Sequence, residues 1–220
     1  DIKFASDRID FSSKLLKVNK KNNNHHVEGK IQNSESILSD KLINLLNLNL
    51  NNFNFKNSKF SSENILKFEI SSKFKLKNLK INSDINLKKI IYNDNLISNY
   101  LSTQNKEILL DNHKLKLNYE NKVFSGDGKC EFMLENKINK IDYTFKKDSN
   151  NFEFGSSLNI KKVILKNQKI LQEYFPLIKD RINIENHKIN LKYKNKDFTL
   201  KGEGEVKFNK DFDYIKYSYN

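Results

Sequence analysis

Apolar and polar residues alternate with period two along much of this chain. Phe74-Lys-Leu76-Lys, Leu115-Lys-Leu117-Asn-Tyr119, Phe152-Glu-Phe154 and Ile189-Asn-Leu191-Lys-Tyr193 each place apolar side chains on one side and Lys, Asn or Glu on the other, the pattern of half-buried strands. In Leu46-Asn-Leu48-Asn-Leu50-Asn-Asn-Phe53-Asn-Phe55 the parity changes at Asn51-Asn52, as a bulge or bend requires if Phe53 and Phe55 are to stay on the face of Leu48 and Leu50. A similar shift separates Leu76 from Leu79 and Ile81. Asn22-Asn23-Asn24, Asn93-Asp94-Asn95, Asn121-Lys122 and Asn195-Lys196 lie between strand strings, where Asn tolerates left-handed backbone in place of glycine. Three segments break the alternation and predict short helices: 36–46, 96–101 and 168–175, the last running into Pro176.

The chain also repeats itself. Residues 100–122 align without a gap on 174–196, an offset of 74, with nine identities in 23 pairs that include Asn112-His113-Lys114 against Asn186-His187-Lys188. Chance would give roughly two or three. A fainter copy sets 7–29 on 180–202 and brings Gly29 onto Gly202. Repeat units at about 96–145 and 171–219, with a partial copy at 7–29, predict one continuous, elongated β-repeat segment over residues 1–220, with both Asn-His-Lys triplets at strand starts. The fold class expected is mainly β, a curved antiparallel sheet forming a taco-like groove, with two or three short helices.

Composition narrows the chemistry. The chain has 220 residues, 37% of them hydrophobic, and a formal charge of +13. The positive residues are almost all Lys, spread along the whole length, with Arg only at 8 and 181, which points away from nucleic acid as a partner. The single cysteine, Cys130, excludes an internal disulfide or a cysteine-based metal cluster. The pair His25-His26 directs its rings to opposite strand faces, and no Cys or carboxylate stands at ligand spacing, so no metal site and no cofactor are expected. His113 and His187 occupy one repeat position and are read as polar contacts. Gly126-Asp127-Gly128 and Gly202-Glu203-Gly204 precede strand strings and open no helix, so they are read as glycine-rich strands, not phosphate loops. No catalytic constellation stands out, and the chain is not expected to be an enzyme. No stretch approaches a membrane-spanning length.

The short apolar segment, the Ile-rich stretch and then NHKINLKYKNKDFTLKGEGEVKF, together with KFEISSKFKLKNLKINSDINLKKIIY at 67–92, resemble the AsmA-like group of bacterial envelope proteins, which includes the TamB and YhdP relatives. The likeness covers most of the chain but carries no catalytic signature. It implies a periplasmic location, an inner-membrane anchor outside this chain, phospholipid acyl chains as partners, and conduction of lipid along an apolar trough in envelope maintenance. Beginning at Asp1 without a methionine, the chain is expected to be a piece of a longer protein. The residues expected to line the groove are Leu48, Leu50, Phe53, Phe55, Phe74, Leu76, Leu115, Leu117, Tyr119, Ile189, Leu191 and Tyr193. The alternatives are an outer-membrane β-barrel segment, which would need ~10-residue strands with an aromatic girdle at both ends, or another β-repeat structural or surface protein.

Overall fold

Segments that alternate with period two can bury only one face, and segments joined by tight turns pair first with their chain neighbours. The computed structural model describes residues 2–6, 9–38, 52–94, 99–101, 107–166, 181–207 and 211–220. Its strands are β1 (Ile2–Ser6), β2 (Ile9–Lys21), β3 (Asn24–Ile37), β4 (Phe53–Asn54), β5 (Lys59–Ile70), β6 (Leu76–Lys88) and β7 (Ile90–Asn93). They continue with β8 (Glu107–Glu120), β9 (Val123–Leu134), β10 (Lys137–Lys147), β11 (Phe152–Lys166), β12 (Arg181–Lys194), β13 (Asp197–Lys207) and β14 (Phe212–Tyr219). All fourteen belong to one open, curled, antiparallel sheet in the order β1-β2-β3-β5-β6-β8-β9-β10-β11-β12-β13-β14, with β4 paired to β7 and β7 to β8 at the side. Of the expected helices, 39–46, 96–98 and 168–175 lie outside the described residues. Ser36 and Ile37 close β3 instead, and Asn99 and Tyr100 have helical backbone before Leu101 bridges to Leu165.

Asparagine shapes the turns. Asn22-Asn23, Asn121-Lys122, Glu135-Asn136 and Asn195-Lys196 each hold two successive residues at positive φ, between 46° and 80°, as a two-residue hairpin turn matched to strand twist requires. The same residue builds the bulges. Asn78, Asn112 and Asn186 sit at φ 52°, 51° and 48°, each beside a register shift in its ladder. In all three the side-chain amide donates to a glutamate on the neighbouring strand: Asn78 to Glu69 at 3.0 Å, Asn112 to Glu131 at 2.8 Å and Asn186 to Glu205 at 2.9 Å. The parity change expected between Leu76 and Leu79 is the first of these. Each bulge resets the alternation so that apolar residues on both sides of it share one face. Asn112-His113-Lys114 and Asn186-His187-Lys188 therefore lie at bulges inside β8 and β12, not at the strand starts expected from sequence, because the residue in left-handed backbone interrupts a ladder that continues past it.

Strand pairs recur at the sequence offset of 74. β8 and β12 span equivalent residues, β9 and β13 begin at equivalent residues, and the turns Asn121-Lys122 and Asn195-Lys196 coincide.

The hairpin turns at 22–23, 71–75, 121–122, 148–151 and 195–196 all fall along one rim of the sheet. Fully buried apolar residues gather toward the opposite rim. There Phe132, Leu134 and Val163 form a core with Ile108, Leu110 and Leu101 packed on it, and Ile182 and Val206 form a second cluster beside it. Asn139, 1% exposed, secures that rim. Its oxygen accepts from the Lys161 backbone N–H at 2.7 Å, and its amide donates to the Lys137 and Phe132 carbonyls at 2.8 and 3.4 Å, tying β9, β10 and β11 together just beyond the end of the β10–β11 ladder.

Candidate functional site

Residues paired across an antiparallel ladder share a face, so the register alone sorts the sheet into two surfaces. Ile85, Leu115, Gly128, Tyr143, Ser156, Leu191, Leu200 and Tyr219 form one unbroken row across eight strands. The next row toward the hairpin rim runs Ser83, Leu117, Gly126, Phe145, Phe154, Tyr193, Phe198. These rows belong to the apolar face. The other face carries cross-strand charge pairs, such as Lys67 with Glu28 at 3.0 Å and Lys162 with Glu185 at 3.1 Å. Glu35 bonds Lys88 and Lys59 at once, at 2.8 and 2.9 Å, and these two lysines hold its carboxyl down at about 2. That face also has a depression of about 570 Å³ whose rim sets Lys114, Lys116, Lys129 and Lys192 against Asp127 and Asp142, an excess of lysine.

The apolar face is closed along one rim and open along the other. Toward the connection rim it is the core described above. Toward the hairpin rim its residues are half-buried, and Phe124, Phe152 and Phe198 are 39%, 43% and 37% exposed. An aromatic file follows this open rim: Phe124 lies 5.3 Å from Phe145 by ring centroids, Phe152 6.0 Å from Tyr193, and Phe198 6.3 Å from Tyr219. Further along the sheet the same face deepens into a cavity of about 640 Å³, lined almost entirely by apolar atoms from Phe11, Leu16, Val27, Ile31, Leu66 and Phe68. Register places it on the face of Leu117: Leu16 pairs with Gly29, Gly29 with Leu66, Leu66 with Ile81 and Ile81 with Tyr119. Gly29 leaves the cavity floor bare, and a Cβ there would meet only ordinary contacts at 3.7 Å.

The expected lining residues divide. Leu115, Leu117, Tyr119, Ile189, Leu191 and Tyr193 are together on the open half of the apolar face, all half-buried. Phe53 lies at the side of the sheet with its ring 5.0 Å from Tyr92 and 6.1 Å from Phe55, and Tyr92 pairs with Ile108 of the core. Leu48 and Leu50 fall outside the described residues. Phe74 does not line the face: it occupies the β5–β6 turn at φ 56° and is 90% exposed, because the chain reverses there and its Lys-Phe-Lys-Leu alternation belongs half to the turn. Leu76, 56% exposed, stands at the rim opposite Ile70. Sequence reasoning missed the cavity residues. Their signal was present in the alternation Val27-x-Gly29-x-Ile31 and Leu66-x-Phe68, but only pairing of β2, β3 and β5 brings them into one concavity.

Two histidine–tyrosine pairs mark the same face. The imidazole of His113 meets the Tyr143 hydroxyl through Nε2 at 2.5 Å, and His187 meets Tyr217 at 3.0 Å. Among the described residues neither buried Nδ1 atom has a hydrogen-bond partner, and burial pulls both imidazoles below their ordinary pKa. Burial also raises both phenols. Among the described residues no three His, Cys, Asp or Glu side chains converge on a point that could hold a metal ion, and no helix is long and apolar enough to cross a membrane. No protein-family model, curated protein or solved structure matches this chain.

Proposed function

We propose that this chain is a lipid-holding trough, a segment of an AsmA-like periplasmic protein that binds phospholipid acyl chains on its apolar face and conducts them along it in envelope maintenance. One observation carries the reading: rows of apolar side chains continue from strand to strand, half open along the hairpin rim, and lead to an apolar cavity of about 640 Å³. That volume lies within the range of sites that enclose small ligands. A saturated tail needs no polar partner, so moving from one apolar row to the next changes its free energy little. The lysine and glutamate pairs of the opposite face keep the trough wet on its outside. The resemblance described above supplies the envelope setting, and inner-membrane anchoring through a segment outside this chain is part of the proposal.

The test is to purify the chain, extract it with organic solvent and identify what it carries by mass spectrometry. Phospholipid in a fixed ratio to protein supports the reading; a lipid-free chain that also takes up none from vesicles refutes it.

A further inference from the structure

We propose that the hairpin rim of the sheet is a docking edge for one kind of surface, a bilayer rich in anionic phospholipid. The rim brings together the two side-chain types that hold a protein at such a surface, rings that enter the headgroup boundary and lysines that meet lipid phosphates. The inference concerns attachment and does not depend on whether the apolar face carries an acyl chain.

The rings lie at the turns. Phe74 is held in the β5–β6 turn by its backbone N–H, which donates to the Ser71 carbonyl at 2.9 Å, while the Ser71 N–H donates to the Lys75 carbonyl at 3.0 Å. It stands at φ 56° and is 90% exposed. A bulky residue in left-handed backbone is strained, and the fold returns nothing for it here, since the ring packs on no part of the core. Phe124, Phe152 and Phe198, each next to one of the following turns on this rim, extend the exposed rings along it.

Lysines flank the same turns. Lys21, Lys73, Lys75, Lys122, Lys147 and Lys196 are exposed, and among the described residues none of them is paired with a carboxylate. This contrasts with the polar face, where Lys30 meets Glu63 at 2.8 Å and Lys67 meets Glu28 at 3.0 Å. Lys147 stands between Phe124 and Phe152 in the outermost row of the sheet, so charge and ring alternate there. Of the acids beside the turns, Glu120 and Glu153 are paired with Lys80 and Lys194. Glu69, Asp148 and Asp197 remain, and the rim is positive on balance.

The chain has no tryptophan, so Phe74→Trp gives a single reporter at the turn tip. Met133→Trp, at a position 48% exposed on the opposite rim, is its control. With vesicles of phosphatidylglycerol and phosphatidylcholine in roughly equal parts, emission of the Phe74→Trp chain is expected to shift to shorter wavelength. Lipid brominated in its acyl chains is expected to quench that emission, which separates a bilayer from any other polyanion, and the Met133→Trp chain is expected to show neither effect. Phosphatidylcholine alone should give no shift, and raising salt from about 0.1 to 1 M should reverse it. In vesicle flotation, Lys73→Gln with Lys75→Gln is expected to weaken binding about tenfold or more. Phe74→Ser is expected to weaken binding without lowering the melting temperature. The proposal is overturned by no binding to the anionic vesicles, by equal binding to phosphatidylcholine alone, by binding that leaves the Phe74→Trp emission unchanged, or by equal shifts of the two reporters.

Discussion

Nε2 of His187 lies 3.0 Å from the hydroxyl of Tyr217, and the tyrosine ring reaches it by crossing Gly202 on the strand between them. His113, Gly128 and Tyr143 make the same three-strand clamp 74 residues earlier. A side chain on either glycine would overlap the tyrosine ring, so glycine is required here by close approach and not by turn geometry.

Gly128→Ala and Gly202→Ala are each expected to destabilise the fold by about 1–3 kcal/mol through overpacking. Tyr217→Phe removes only the hydrogen bond and is expected to cost about 1 kcal/mol. Denaturant unfolding of the three variants checks this, and a neutral Gly202→Ala would show that the ring has somewhere else to go.

Asn112 and Asn186 should behave as a matched pair. Replacing either with Ala places a Cβ-bearing residue in left-handed backbone and removes the bond to Glu131 or Glu205, for an expected loss of about 1–2 kcal/mol. Gly at the same positions removes the bond but relieves the backbone, so it is expected to cost less than Ala. Thermal melts that rank Gly below Ala in stability would contradict this account of the bulges.

Acid should weaken the fold before its carboxylates titrate. His113 and His187 bind protons less readily folded than unfolded, so below the ordinary imidazole pKa the unfolded chain holds more protons and stability rises with pH. The melting temperature is expected to fall as pH drops from about 7 to 5. Glu63, Glu69 and Glu203 have pKa values already lowered by their hydrogen bonds, and their loss comes at still lower pH. Replacing both histidines with Gln should flatten the slope between pH 7 and 5, and an unchanged slope would assign it elsewhere.

Cys130 is 7% exposed, and burial, followed by Asp142 and Glu131, pushes its thiol up to about 11. Because the thiolate is the reactive form, a thiol reagent at mildly alkaline pH is expected to modify the native chain about two orders of magnitude more slowly than the unfolded one. Similar rates in the two states would mean that this part of the sheet opens readily.

The strands around Leu117 and Leu191 were legible because period two is imposed by the backbone itself, and the turns at Asn121 and Asn195 because asparagine replaces scarce glycine at positive φ. The clamp was half visible. The 74-residue repeat aligns His113 with His187, but the partners Tyr143 and Tyr217 lie beyond the aligned block, and contact across three strands leaves no local pattern. Phe74 was misplaced because alternation alone does not show where the chain turns over. The cavity near Leu16 and Leu66 needed the register, since its walls come from strands that pairing alone makes adjacent.

The most direct measurement of the central claim is to follow bound phospholipid and melting temperature together in Leu117→Asp, Leu191→Asp and Gly29→Val. If the apolar face is an open trough, all three variants stay folded and carry less lipid than the parent, because a carboxylate on the acyl path is strongly disfavoured and a valine fills the cavity floor. If the face is a closed core, the two aspartate variants unfold at ordinary temperature, the parent carries no lipid and Gly29→Val has no effect on lipid content, a result that contradicts the account.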